Sequence, residues 1–120
     1  LNTPESLNAI AQLSGVSKLD RFEGCLSIRM RESRTEEWHT HSKSTIRHRL
    51  GLVLNLSPRP YQGGDLCIRN ENEALTVQTH TLANPGDGLL FRVENNYEYC
   101  DMPILGPEPK IAFVGWFSGD

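Results

Sequence analysis

The sequence predicts an all-β core preceded by one N-terminal helix. Short runs of alternating apolar and polar residues recur along the chain, the period-two signature of half-buried strands. Turn-forming clusters rich in Gly and Pro separate them at close spacing. Helix signals gather in a single stretch near the N-terminus. Many short strands with such turns imply a sandwich, a jelly roll or a barrel.

Asn2-Thr3-Pro4-Glu5 reads as the helix start, with a capping Thr, Pro at the first helical position and an acidic residue in the first turn. Leu7, Ile10, Ala11 and Leu13 are expected on one face, and Ser14-Gly15 ends the helix. Cys25 to Met30 alternates, with Leu26, Ile28 and Met30 together. Arg49 to Leu56 is the next strand, with Leu50, Leu52, Leu54 and Leu56 expected inward and Val53 on the other side. Asp65 to Arg69 and Ala74 to His80 flank the polar turn Asn70-Glu71-Asn72-Glu73 and predict a hairpin. Asn84-Pro85-Gly86-Asp87-Gly88 turns into the strand Leu89 to Val93. Lys110 to Phe117 carries the strongest strand signal of all.

Residues 1–120 are expected to form one domain. The chain begins at Leu1 rather than Met, which suggests an excised or processed domain that lacks N-terminal elements. A formal net charge of -3 gives no electrostatic case for nucleic acid. The small cluster Arg29, Arg31, Arg34 is interleaved with Glu32, Glu36 and Glu37 and reads as a solvated mixed-charge edge. Cys25, Cys67 and Cys100 are odd in number and lack CxxC spacing, which argues for a reducing compartment and a cytoplasmic location. No apolar run approaches the roughly 18 residues of a membrane span. The apolar final strand suits an interface in a homo-oligomer.

Chemistry concentrates in Trp38-His39-Thr40-His41. Alternate residues of an extended chain share a face, so His39 and His41 can address one metal ion, and neutral imidazole is a common ligand. The competing reading is two polar residues in a surface turn beside Glu36, Glu37, Ser42 and Lys43. Lys110 similarly reads as an edge lysine with a packed stem and a wet ammonium, Gly63 and Gly64 as turn formers, and His48 as an outward strand residue.

Three further segments carry a family resemblance. Leu52 to Ser57 followed by Tyr61-Gln62-Gly63-Gly64-Asp65-Leu66 resembles the YLN…GGEL signature of prolyl-hydroxylase-like Fe(II)/2-oxoglutarate dioxygenases. Pro85 to Phe91 resembles that family's Pro-Gly turn and strand, and Lys110 to Phe117 its last core strand. The match covers roughly residues 21 to 117. It implies a double-stranded β-helix, a jelly roll of two facing sheets. It also implies iron held by an HxD pair and a distal His, the facial triad that leaves positions open for cosubstrate and oxygen.

Carried over by position, His39 matches the first ligand and His41 stands in place of the carboxylate. Tyr99, four residues before Pro103, stands where the distal His belongs. Glu98 and Asp101 flank it and offer a carboxylate there. Lys110 matches the cation that pairs with the tail carboxylate of 2-oxoglutarate, a charge-assisted hydrogen bond in an apolar pocket. The metal set implied by the resemblance is therefore His39, His41 and Tyr99, with Lys110 as cosubstrate anchor.

Three functions follow as expectations. The first is a divergent dioxygenase, using Fe(II) and 2-oxoglutarate to hydroxylate a peptide, amino acid or small metabolite. The second is an inactive relative kept as a binding or assembly domain. The third is a cupin-like metal protein, which His-x-His also suits. Against it, no Glu follows the pair until Glu71 and no His follows His80.

Overall fold

The computed structural model describes residues 1–31, 38, 48–70, 77–93 and 97–119. Helix α1 spans Pro4–Ser14, followed by strands β1 Arg21–Arg29, β2 His48–Asn55, β3 Leu66–Asn70, β4 Val77–His80, β5 Gly88–Arg92, β6 Tyr97–Asp101 and β7 Lys110–Ser118. The strands form two antiparallel sheets, ordered β1-β7-β2-β5 and β4-β3-β6. This is the predicted all-β jelly roll with its N-terminal helix. Among the described residues, no helix is long and apolar enough to cross a membrane.

The helix forms as its end signals demand. Thr3 Oγ1 accepts from the Ser6 amide at 3.2 Å, and Gly15 closes the other end at φ 77°. Leu7 and Ala11 are buried and Ile10 packs beside them, but Leu13 is 83% exposed. The reason is angular: at about 100° per residue, Leu13 falls off the face that Leu7 and Ala11 share. Asn2 moors the segment before the helix, giving and receiving hydrogen bonds with the Phe22 backbone at 2.9 and 2.8 Å.

The four-stranded sheet packs on both faces, and Leu50 of β2 is inward as expected. Leu50 does not point between the sheets; it joins Leu7, Ala11, Phe22 and Phe117 beneath the helix, with Leu52 beside them. Val53 faces the other way, toward Leu66, Ile68 and Tyr99 of the smaller sheet. Leu50 and Phe117 are fully buried, each worth about 1.5–3 kcal/mol of apolar transfer. Leu56, expected inward, is 44% exposed beyond the strand end.

The helix covers only part of its sheet face. Leu26 and Ile28 share a face of β1 as expected, yet both are exposed, as is Leu90 on β5. The final strand is not an edge either: β7 lies between β1 and β2 with both sides hydrogen-bonded. The hairpin expectation holds, with β3 pairing β4 in the register Leu66↔His80 to Arg69↔Val77. β6 is a strand that the sequence pattern did not announce.

Buried polar groups lock the turns that frame the space between the sheets. Asn55 is 1% exposed. Its amide donates to the Leu82 and Asn84 carbonyls at 3.0 and 3.1 Å, and its oxygen accepts from the Ser57 amide at 3.0 Å. Ser57 Oγ donates to the Ile111 carbonyl and accepts from the Ile111 amide, at 3.2 and 2.8 Å. One residue thus joins the end of β2 to the Pro-Gly turn, and the next but one joins it to β7.

Candidate functional site

A cavity of about 470 Å³ lies between the sheets. The larger sheet lines it with Ser27 and Arg29 of β1, Val53 of β2, Phe91 of β5, and Lys110, Ala112, Val114 and Trp116 of β7. Leu66, Tyr99 and Asp101 line it from the smaller sheet. The strand period explains the choice, because positions 110, 112, 114 and 116 necessarily share one face.

One end of the cavity is charged. Lys110 and Arg29 are cross-strand partners on β7 and β1, and Asp101 stands on β6 across from them. Lys110 is only 5% exposed, and its Nζ donates to the Gly64 carbonyl at 2.6 Å. The Tyr61 ring lies 5.8 Å from the same ammonium. Arg29 donates to the Met102 carbonyl at 3.1 Å. The reading of Lys110 as an edge lysine with its ammonium in water is therefore corrected. Strand β7 is central, so a side chain at its start is enclosed.

Gly63 and Gly64 do more than turn the chain. Both have positive φ, 77° and 72°. A Cβ on Gly63 would run into the Pro103 carbonyl, and one on Gly64 would meet Ile104 Cδ1 at 2.6 Å and Lys110 Cδ at 3.2 Å. Their bareness lets the backbone approach the lysine. The Tyr61 hydroxyl donates to Leu82 O at 2.9 Å. Burial raises its pKa above the usual tyrosine value, with Asp65 and Asp87 adding to the shift, so it stays a protonated donor.

The other end is aromatic. Tyr99 packs against Phe91 at 5.4 Å and Trp116 at 6.4 Å between ring centroids, and Phe91 meets Trp116 edge-on at 5.8 Å. Tyr99 is 1% exposed, and its hydroxyl donates to the Arg92 carbonyl at a long 3.4 Å. His48 lies flat on Trp116, 5.2 Å between centroids and 6° between planes. The expectation that His48 simply faces outward is corrected by that stack. Burial lowers its pKa; Glu23 opposes this and Arg21 reinforces it.

Of the sequence-derived site residues, Tyr99 and Lys110 line the same cavity. His39 and His41 lie outside the described residues. Trp38 just before them sits beside β3, with the Arg69 guanidinium 3.9 Å from its ring centroid. Asp101 shares the cavity face with Tyr99, whereas Glu98 points away and pairs with Arg69 at 3.3 Å. Among the described residues, no three His, Cys, Asp or Glu side chains converge as a metal site. The described walls fit an anionic cosubstrate through Lys110. For iron they contribute two oxygen donors, Tyr99 and Asp101, and a complete set would have to draw on His39 and His41.

Sequence reasoning missed Arg29, His48 and Trp116. The signal for Trp116 was available, since it is an even number of residues from Lys110 on one strand. Arg29 reaches the cavity, and His48 reaches Trp116 beside it, only through the pairing of β1 and β2 with β7, which no local pattern encodes.

No family model matches the chain, and no curated protein matches it. Solved structures do. A prolyl-4-hydroxylase from Pseudomonas putida superposes with a TM-score of 0.68 at 19% identity, covering 94% of this chain and 60% of its own. An oxidoreductase of the 2OG-Fe(II) oxygenase family from Burkholderia pseudomallei gives 0.71 at 12% identity, covering 98% of this chain and 52% of its own. The chain thus spans little more than half the length of either. At such identities the likeness is one of fold: the chain has the jelly-roll fold of the 2-oxoglutarate oxygenases.

Proposed function

We propose that this chain is a divergent 2-oxoglutarate/Fe(II) oxygenase-like protein, with hydroxylase-type oxidation of a peptide, amino acid or small metabolite as its activity. One observation carries the proposal: a buried lysine, Lys110, lines a cavity between the two sheets of an oxygenase-type fold. An ammonium removed from water binds a carboxylate through a strong charge-assisted hydrogen bond. Arg29 adds a second cation at the same end, and Asp101 sets a negative limit on where an anion can lie. Fe(II) and 2-oxoglutarate, when bound, supply the oxidising power for a C–H bond. Tyr99, Asp101, His39 and His41 are the residues that would hold the ion. Phe91, Trp116 and the Tyr99 ring give the other end of the cavity an aromatic wall.

Calorimetric titration with Co(II) as an inert stand-in, then with 2-oxoglutarate, tests this. The expected result is 2-oxoglutarate binding that Lys110→Met weakens by about tenfold or more. Failure of both Co(II) and 2-oxoglutarate to bind at millimolar concentration would sink it.

A specific observation favours a second reading, a non-catalytic binding or assembly domain. Tyr99, which the sequence resemblance aligns with the distal ligand, is fully buried and donates its hydroxyl to a backbone carbonyl. That reading expects no change in melting temperature with chelator. A chelator-induced fall would overturn it.

A further inference from the structure

Strands β3 and β6 place Cys67 and Cys100 directly opposite each other. Opposite residues of an antiparallel ladder project to the same face, with Cα atoms about 4.5–5.5 Å apart. Disulfides bridge Cα separations of about 4.4–6.8 Å, a range that contains the usual spacing of directly opposed residues. Neither cysteine is in a disulfide, and both are buried, 6% and 5% exposed. Cys67 Sγ lies 3.8 Å from Thr79 Oγ1, and Cys100 Sγ 3.8 Å from the Asp101 carbonyl. Leu66 and Tyr99, their neighbours in sequence, line the cavity. The thiols therefore occupy the back of the cavity wall, on the face turned away from it.

We propose that Cys67 and Cys100 are a redox-active dithiol site that closes to a reversible cross-strand disulfide, clasping β3 to β6 behind Tyr99. The oxidant is a hydroperoxide, small enough to reach a buried sulfur. One thiolate attacks the peroxide O–O bond, giving a sulfenic acid and releasing hydroxide, which takes a proton to become water. The second sulfur displaces hydroxide from the sulfenic sulfur, forming the S–S bond and a second water. Two thiols and one hydrogen peroxide thus become one disulfide and two waters. Two electrons pass from sulfur to peroxide, and an external dithiol returns them by exchange.

The exposed Cys25, on β1 of the other sheet, is an internal reference for peroxide reactivity. The experiment uses the chain carrying Cys25→Ser, which removes intermolecular linkage without touching the core. The folded protein is treated with hydrogen peroxide, quenched, alkylated in denaturant and mapped by mass spectrometry. Expected are the loss of both alkylatable thiols, a mass lower by about 2 Da, and a peptide linking Cys67 to Cys100 that dithiothreitol dissolves. The melting temperature should rise by about 5 °C or more. Recovery of Cys67 and Cys100 unlinked, as thiols or as sulfinic acids, at peroxide doses that oxidise Cys25 in the parent chain would overturn the proposal. So would a link that forms only in the unfolded chain.

Discussion

Lys110 donates its ammonium to the carbonyl of Gly64 at 2.6 Å, a contact between residues 46 apart in sequence. It is possible only because Gly64 sits at φ 72° with no side chain to intrude. The glycine turn and the last strand are thereby one device, and the glycine sets where the cation stands.

Gly64→Ala is expected to destabilise the fold by about 2–3 kcal/mol, combining the left-handed backbone penalty with overpacking. The added Cβ would press on Ile104 and on the stem of Lys110. Gly86→Ala separates the two costs, because Gly86 has φ 88° and open space around it. It should lose only about 1 kcal/mol. Urea unfolding of the two variants checks the difference; equal losses would mean that packing against Lys110 contributes nothing.

Lys110→Met keeps most of the buried stem and removes the charge. Deleting a buried cation relieves its desolvation but leaves the Gly64 carbonyl without that donor, so the net change is expected within about 1 kcal/mol. Lys110→Ala also loses the packed methylenes and should cost about 2 kcal/mol more. Denaturant midpoints distinguish the two. Binding of 2-oxoglutarate is expected to weaken by about tenfold or more in both, which separates the ligand role from the packing role.

Periodicity made the strands legible but not their facing. Leu50, Leu52 and Leu54 share a side, as alternation requires. The larger sheet is buried on both sides, though, and nothing local says whether leucine meets the helix or the cavity. Leu26 and Ile28 alternate as well as any core strand and yet are exposed, because the helix reaches only the other end of that sheet. β6 was hidden because Tyr97-Glu98-Tyr99-Cys100-Asp101 puts an acid on each face. Tyr99 and Lys110 emerged as site residues from a resemblance over the whole segment. Arg29, His48 and the Cys67–Cys100 pair depend on strand register and were out of reach of any single run of residues.

Asn55 tests the frame around the cavity. Truncating it to Ala leaves the Ser57 amide without its acceptor and removes one of two donors from each of the Leu82 and Asn84 carbonyls, which keep the Tyr61 hydroxyl and the Asp87 amide. With one buried amide stranded and two carbonyls each losing a donor, a loss of about 2 kcal/mol is expected. Asn55→Asp should also be severe, since a carboxylate cannot donate to two carbonyls. Thermal or urea unfolding measures both. A loss below about 1 kcal/mol for Ala would show that water replaces the side chain without cost.

His48 gives the fold a pH dependence of known sign. Its pKa in the folded chain is lowered from the ordinary 6.5, chiefly by burial, so below that value the unfolded chain binds more protons than the folded one. Its contribution is fully present above pH 6.5 and is lost as pH falls through the lowered folded value. Protonation would also place a cation flat against Trp116, the ring that closes the aromatic end of the cavity. His48→Phe keeps a flat ring there and removes the titration. Stability measured by urea unfolding from pH 7.5 down to 5 should fall less steeply in this variant than in the parent chain. Parallel slopes would mean that another group carries the acid sensitivity and that the stack on Trp116 is indifferent to charge.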